Sequence, residues 1–410
     1  MDSKLVFIID SDSGFKDLVS NLLQQEGHRV RSVADSDAHL FKTIEAEHPD
    51  CIMLDIMLHG QMGLDLCRKL RRQSKYNAIK IIIVSAKPYE FDRKRALELG
   101  ADGYFVKPIQ PELFVQQLNR IFNDHIELTF WGVRGTLPRC GADSVHYGGN
   151  TNCISLQFSK GPYFIFDAGT GLKAFSDHLM QRRQFPMEAK LFISHPHWDH
   201  INGLPFFVPM YMQGNEFEIF GTPHGQLSTR EIISAQMDGV YFPIKIKEFG
   251  ARVYFRDITE ETVSFHHGPT VHTMLLMHPG NCLGYRIEYR GRVICYITDN
   301  ELYPSDSSKF STVYYDRLTR FIRNSDALII DSTYTETEYA SRVDWGHSSV
   351  NNVTELAHRG EVKGLYLYHH DPDQTDAHID KKLEQSQQLL ASLGSKTCCF
   401  APREKQLFVF

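Results

Sequence analysis

Residues 191–203, LFISHPHWDHING, constrain the chain most tightly: His195, His197, Asp199 and His200 fall within six positions directly after an apolar run. H-x-H-x-D-H at a strand end sets three imidazoles and a carboxylate on one short loop, the donor types that a borderline metal such as zinc prefers. One loop supplies only part of a dinuclear centre, so further donors must come from later in the chain. His278 in LLMHPGN, Asp299 in VICYITDN and His369 in LYLYHHDP each stand at or just past an apolar strand-like run, where a rigid strand end can fix a ligand. Asp167, before the turn Ala168-Gly169-Thr170-Gly171, suits either of two roles: orienting a metal-bound histidine or capping the turn.

A length of 410 residues implies more than one domain, and two is the simplest division. Hydrophobic content of 42% with 23% charged residues describes a globular chain with ample core. The net charge of −6 argues against wrapping duplex nucleic acid. Eight cysteines without a C-x-x-C pair suit a reducing compartment. The N-terminus, MDSKLVFIID, lacks the basic region of a signal peptide, and no segment approaches the roughly 18 to 20 apolar residues of a membrane span. A cytoplasmic protein with no membrane partner is expected.

Residues 1–124 alternate strand and helix patterns. LVFIID (5–10), HRVRSV (28–33), CIMLD (51–55), IKIIIVSA (79–86) and DGYFVK (102–107) read as strands, separated by helical spacing near 14–26, 36–47, 64–73, 89–99 and 111–122. Five such units imply a parallel sheet with helices on both faces and ligands at the carboxyl ends of the strands. Those ends carry Asp10 with Asp12, Asp55, Ser85 and Lys107, a set suited to a hard cation such as magnesium and to a phosphoryl group.

On these residues, positions 1 to about 123 resemble the receiver domain of two-component response regulators. The resemblance implies a doubly wound five-stranded parallel domain. Asp55 would be the phosphoacceptor, Asp10 with Asp12 would help hold magnesium, Ser85 and Lys107 would meet the phosphoryl group, and Tyr104 would be the aromatic switch. It also implies a sensor histidine kinase or other phosphodonor as partner, and it admits a homodimer. Ser11 stands where a second acidic residue is usual, His59 where proline is common and Met62 where aspartate is frequent.

A new strand, IELTFWGVRG (126–135), begins almost at once after the last of these helices, with no Gly/Ser-rich spacer. The second domain, 125–410, resembles the metallo-β-lactamase superfamily through H-x-H-x-D-H, which implies an αββα sandwich with two metals at one edge. Mapped here, His195, His197 and His278 would hold one metal, and Asp199, His200 and His369 the other, with Asp299 bridging. His370 competes for the last place, and the register of LYLYH favours His369. Zinc, manganese and iron all suit such donors.

WGVRGT, YGGNTNC, DAGTGL, YFP, HPG, ITDNE, WGHSS and HHDP together resemble the phosphodiesterase branch that includes tRNase Z and cyclic phosphate phosphodiesterases. By that resemblance His347 meets the phosphate opposite the metals, Asp331 supports His347, and Asp199 joins them in catalysis. A small cyclic nucleotide or short phosphodiester is the expected substrate, with its base against Phe206, Phe207, Tyr241 or Phe242 unless these belong to the core. The segment between His200 and His278 has no Gly/Pro-rich arm for gripping tRNA. A metallohydrolase of a thioester, lactone or other ester and a non-catalytic signalling module are the alternatives.

Overall fold

The computed structural model describes residues 3–33, 37–58, 61–76, 79–122, 125–159, 161–183, 185–265 and 268–410. His59 lies outside the described residues. The chain divides into two compact units, one formed mainly by residues 1–124 and the other mainly by residues 125–410.

In the first unit five strands form one parallel sheet in the order Arg29–Ser32, Leu5–Ile9, Cys51–Asp55, Lys80–Ser85, Gly103–Val106. The three inner strands, Leu5–Ile9, Cys51–Asp55 and Lys80–Ser85, are nearly continuous apolar runs because both faces are covered, whereas the edge strand Arg29–Ser32 is polar and mostly exposed. Val6, Ile8, Met53 and Ile82 pack with Phe15 and Val19 of helix Ser13–Gln25 and Phe114 and Leu118 of helix Pro111–Phe122. Phe7, Ile9, Ile52, Leu54 and Ile83 point the other way, onto Leu40, Ile44, Leu66 and Leu70. The five-stranded doubly wound sheet expected from the alternation is what forms.

The second unit is two stacked seven-stranded sheets. One runs Arg252–Asp257, Glu216–Gly221, Glu188–Phe192, Tyr163–Phe166, Cys153–Phe158, Ile126–Gly132, Leu407–Val409, and its first four strands are mutually parallel. The other runs Thr262–Ser264, Thr270–Leu275, Leu283–Tyr289, Arg292–Ile297, Ala327–Asp331, Gly364–Tyr368, Cys398–Phe400, and its last four are mutually parallel. Helix Gly171–Arg182 packs on the outside of the first sheet through Leu172, Phe175 and Leu179. Helices Thr312–Ile322 and Val350–Arg359 cover the second through Leu318, Ile322, Val353 and Leu356. The layering is the expected αββα.

Aromatic rings fill the space between the sheets. Phe192 stacks between Phe166 and Phe220, with ring centres 5.1 and 4.7 Å away, and Tyr285 and Tyr296 approach Phe166 from the opposite sheet at 5.4 and 5.7 Å. The phenols satisfy their hydroxyls by crossing the layer. Tyr285 donates to Ile193 O at 2.8 Å, Tyr296 to Asp167 at 2.8 Å, and Tyr368 to Gly132 O at 2.8 Å. A buried hydroxyl without an acceptor is costly, so these bonds fix how one sheet registers on the other. The parallel strands of both sheets end at one edge, and that edge carries Asp167, His195, Asp299, Asp331 and His369.

Candidate metal centre and receiver pocket

The donors at this edge arrive from separated strand ends. Asp299 and His369 follow strands Arg292–Ile297 and Gly364–Tyr368, and Asp167 follows Tyr163–Phe166. All three have left-handed backbone, with φ of 32°, 60° and 58°. Non-glycine residues adopt such angles where surrounding structure enforces them. His195 lies just past strand Glu188–Phe192, and the next turn is the short helix Trp198–Ile201, which carries Asp199 and His200.

Asp299 sits at the centre. Its Oδ2 is 3.5 Å from His195 Nε2 and 3.6 Å from His278 Nε2, while its Oδ1 is 3.2 Å from His200 Nε2 and 3.0 Å from His369 Nε2. His369 Nε2 and His200 Nε2 also lie 3.3 and 3.1 Å from Asp199 Oδ2. His197 Nδ1 is 3.2 Å from His278 Nε2. Among the described residues three donor groups result, His195/His197/His278/Asp299, Asp199/His200/His369 and Asp299/Asp331/His347/His369, with the ligand atoms of each within 4.8 Å of one another. His369 joins them and His370 does not, for the His370 ring turns toward Lys382, 2.9 Å from its Nδ1.

A second ring of contacts aims these donors. Asp167 accepts from His200 Nδ1 at 2.7 Å, from Ser194 N at 2.7 Å and from Tyr296 at 2.8 Å. It therefore orients an imidazole in the cluster, one of the two roles its sequence position allows, and leaves Nε2 facing inward. His278 Nδ1 lies 2.9 Å from Gly346 O, and His369 Nδ1 lies 3.0 Å from Thr333 Oγ1. Thr136 N and Asn152 Nδ2 donate to Asp199 at 2.8 and 3.1 Å. Gly135 is required beside the cluster, since a Cβ there would come 2.0 Å from the His369 ring.

Electrostatics separate the donors. Burial drives the His195 pKa well below the usual imidazole value. Burial opposes charging His200 too, but Asp199, Asp299 and Asp167 outweigh it and raise its pKa well above that value. Burial likewise opposes ionising Asp299, and the histidines around it, His369 first, hold its pKa well below the usual carboxylate range. His195 Nε2 is buried without a hydrogen-bond partner. A buried nitrogen left in this way, facing ionised carboxylate at 3.5 Å, fits a cation between the two.

His347 lies beside this cluster. Its Nδ1 is 2.8 Å from Asp331 Oδ2, and its ring stacks on His369 with centres 4.8 Å apart. Asp331 also accepts from Thr333 N at 2.9 Å and Asn300 N at 3.1 Å. Burial disfavours the imidazolium, but Asp331 overrides it and raises the His347 pKa.

In the first unit Lys107 Nζ lies between two carboxylates, 2.7 Å from Asp10 and 2.8 Å from Asp55. Burial raises the Asp10 pKa despite Lys107. Asp12 Oδ1 accepts from Phe15 N at 3.0 Å and caps helix Ser13–Gln25. Ser85 Oγ accepts from Lys87 N at 3.0 Å, and Tyr104 donates to Lys87 O at 2.8 Å. Of the aromatics considered for a base, Phe207 is fully buried in the core, while Phe206 and Tyr241 are exposed. Asn152, Thr333 and Glu301 were not among the candidates, although each lies in or beside a motif word or strand end already singled out.

An αββα sandwich with paired His/Asp groups at its strand ends defines a metallo-β-lactamase-type domain, here joined to a receiver domain. The chain belongs to the beta-lactamase superfamily: residues 163–370 match the beta-lactamase superfamily domain, and residues 6–119 match the response regulator receiver domain. The alkaline phosphatase synthesis transcriptional regulatory protein PhoP of Bacillus subtilis (strain 168) is 36% identical over 109 residues, covering 27% of this chain and 44% of that protein. The chain thus spans less than half the length of the curated relatives it matches. The metallo-beta-lactamase fold protein YhfI from Bacillus subtilis aligns with a TM-score of 0.50 at 15% identity, over 70% of this chain and all of that one, a likeness of fold. Human tRNase Z, short form, aligns with a TM-score of 0.47 at 18% identity, over 69% and 98%.

Proposed function

We propose that the protein is a two-component response regulator, with a receiver at 1–124 and an output domain at 125–410 that hydrolyses a small cyclic nucleotide or short phosphodiester. His347 carries the reading, because it rests on a buried carboxylate 2.8 Å away and stacks over a member of the donor cluster. Ester and thioester cleavage develops one oxyanion, which the metals themselves can hold. A phosphodiester is itself anionic and gathers further negative charge on its phosphoryl oxygens, which an imidazolium beside the donor cluster neutralises while its proton remains available to the leaving oxygen.

The fold implies divalent metals, and the donor groups described above fit two of them. His195, His197 and His278 would hold one, and Asp199, His200 and His369 the other, with Asp299 shared and zinc favoured over manganese or iron. Bound there, the metals supply Lewis acidity and lower the pKa of water. The chain's own part is to place the phosphate against His347. As the bond from water oxygen to phosphorus forms and the bond to the leaving oxygen breaks, the proton that the water loses passes to Asp199 or to solvent, and His347 Nε2 gives its own proton to the leaving oxygen. Asp331 fixes the tautomer by accepting from Nδ1.

In the receiver, Asp55 takes a phosphoryl group from a histidine kinase or other phosphodonor, with Asp10 as a magnesium ligand. Ser85 and Lys107 then contact the phosphoryl oxygens, and Tyr104 reports the change. Among the described residues no helix is long and apolar enough to cross a membrane, and a cytoplasmic location is part of the same reading.

The test is a panel of cyclic nucleotides, bis(p-nitrophenyl) phosphate and a thioester, assayed with zinc and manganese. Diester hydrolysis is expected, and His347→Ala should lower turnover by about two to four decades with metal content near normal. Cleavage of the thioester alone overturns the phosphodiester reading, and loss of metal from His347→Ala makes that residue a ligand.

A further inference from the structure

We infer that Trp198 and Trp345 form a nucleobase-stacking subsite beside the metal centre, so that the substrate class is a nucleotide rather than a bare sugar or alkyl phosphodiester. The inference rests on the phosphodiesterase reading for the identity of the phosphate group, and extends it to what that phosphate carries.

The chain has three tryptophans. Trp131 is buried in the core at 3% exposure, whereas Trp198 and Trp345 are 80% and 61% exposed. Both exposed indoles sit next to residues that touch one imidazole. His197, which precedes Trp198, has Nδ1 3.2 Å from His278 Nε2. Gly346, which follows Trp345, has its carbonyl oxygen 2.9 Å from His278 Nδ1. The chain neighbours of the two tryptophans thus meet opposite nitrogens of a single ring in the metal cluster.

Neither lies on a loose loop. Trp198 stands between His197 and Asp199, and its carbonyl accepts from Asn202 N at 2.8 Å. The segment around Trp345 is held by one buried carboxylate, Glu301, which accepts from Asp344 N and Gly346 N at 2.8 Å each. Gly346 has φ +85° and a backbone so close to His278 that a Cβ would come 2.4 Å from its Nδ1. The Arg342 guanidinium lies 5.9 Å from the Trp345 ring centre and 5.0 Å from that of Tyr334. Tyr334 in turn is 5.9 Å from His347.

Single exposed apolar residues are ordinary, but two exposed indoles whose chain neighbours meet one imidazole of the cluster offer a planar partner two aromatic surfaces beside the site. A nucleobase is a planar partner that an indole accepts without needing a particular hydrogen-bond pattern. The phosphate of a nucleotide is joined to its base through a ribose, so a phosphate bound at the donor cluster would leave its base to extend toward the rim that begins one residue from His197 and Asp199. Arg342, held over aromatic faces, adds a cation beside the stack.

The test measures binding of AMP and of ribose 5-phosphate to the metal-loaded full chain by tryptophan emission and by competition, so it does not depend on turnover. AMP should quench emission and bind at least about tenfold more tightly than ribose 5-phosphate. Trp198→Leu and Trp345→Leu should each move that ratio toward one, with metal content as the control on folding. Equal affinity for the two ligands in the parent protein, or an unchanged ratio in both variants, overturns the subsite. A preserved AMP preference in a protein that hydrolyses no diester refutes the phosphodiesterase reading and leaves the subsite standing.

Discussion

Lys382 lies fully buried on helix Asp376–Ser392, with its Nζ 2.8 Å from Ser332 O, 3.1 Å from Thr333 O and 2.9 Å from His370 Nδ1. Those carbonyls belong to the turn after Asp331 that holds His347 and His369. Burial pushes the lysine down to about 7 from 10.5. As a neutral amine it can give its two hydrogens to the carbonyls and accept from His370 Nδ1, so the amine itself is fully paired. The consequence for stability has a definite sign. Between pH 7 and 10.5 the folded chain holds Lys382 neutral while the unfolded chain charges it, so the unfolded state binds more protons and stability rises with pH. Below pH 7 the full cost of the buried group is present. The stability of the parent relative to Lys382→Met should therefore climb by up to about 1.4 kcal/mol per pH unit across that window. Denaturant titrations of both proteins at pH 7, 8.5 and 10 check this, and a flat difference would mean that Lys382 stays charged when buried.

At the scale of elements, the receiver helix Ser13–Gln25 owes its start to Asp12, whose carboxylate accepts from Phe15 N at 3.0 Å. Asp12→Ala should cost the receiver about 1 kcal/mol, read as faster amide exchange along that helix, with magnesium affinity unchanged. A fall in magnesium affinity with no loss of protection would place Asp12 at the cation site. Strand ends explain why so much of the metal centre was legible in the sequence. An apolar run that stops at His or Asp announces both a strand and a rigid donor, and this holds for His195, Asp299, Asp331 and His369. What could not be read are pairings between distant strands. Tyr296 reaches Asp167 across 129 positions, and Tyr368 reaches Gly132 across 236. Lys382 sits in the pair Lys381-Lys382, which reads as a solvated helix face. Phe207 and Phe206 are adjacent letters of the same type, yet the turn between them sends one into the core and leaves the other 52% exposed.

For the molecule as a whole, the last receiver helix ends at Phe122 and the first strand of the second unit begins at Ile126. Under the proposed function, an input that alters one unit biases the other. Phosphorylation of Asp55 must break its 2.8 Å pair with Lys107 or convert it into a contact with the phosphoryl group. We predict that acetyl phosphate with magnesium changes diester turnover about fivefold or more, the scale of ordinary coupling between sites. Asp55→Ala should abolish both the change and the incorporation of labelled phosphoryl group. Equal turnover with and without acetyl phosphate, in a preparation that takes up one label per chain, would uncouple the two units. Label retained in Asp55→Ala would place the acceptor elsewhere in the receiver.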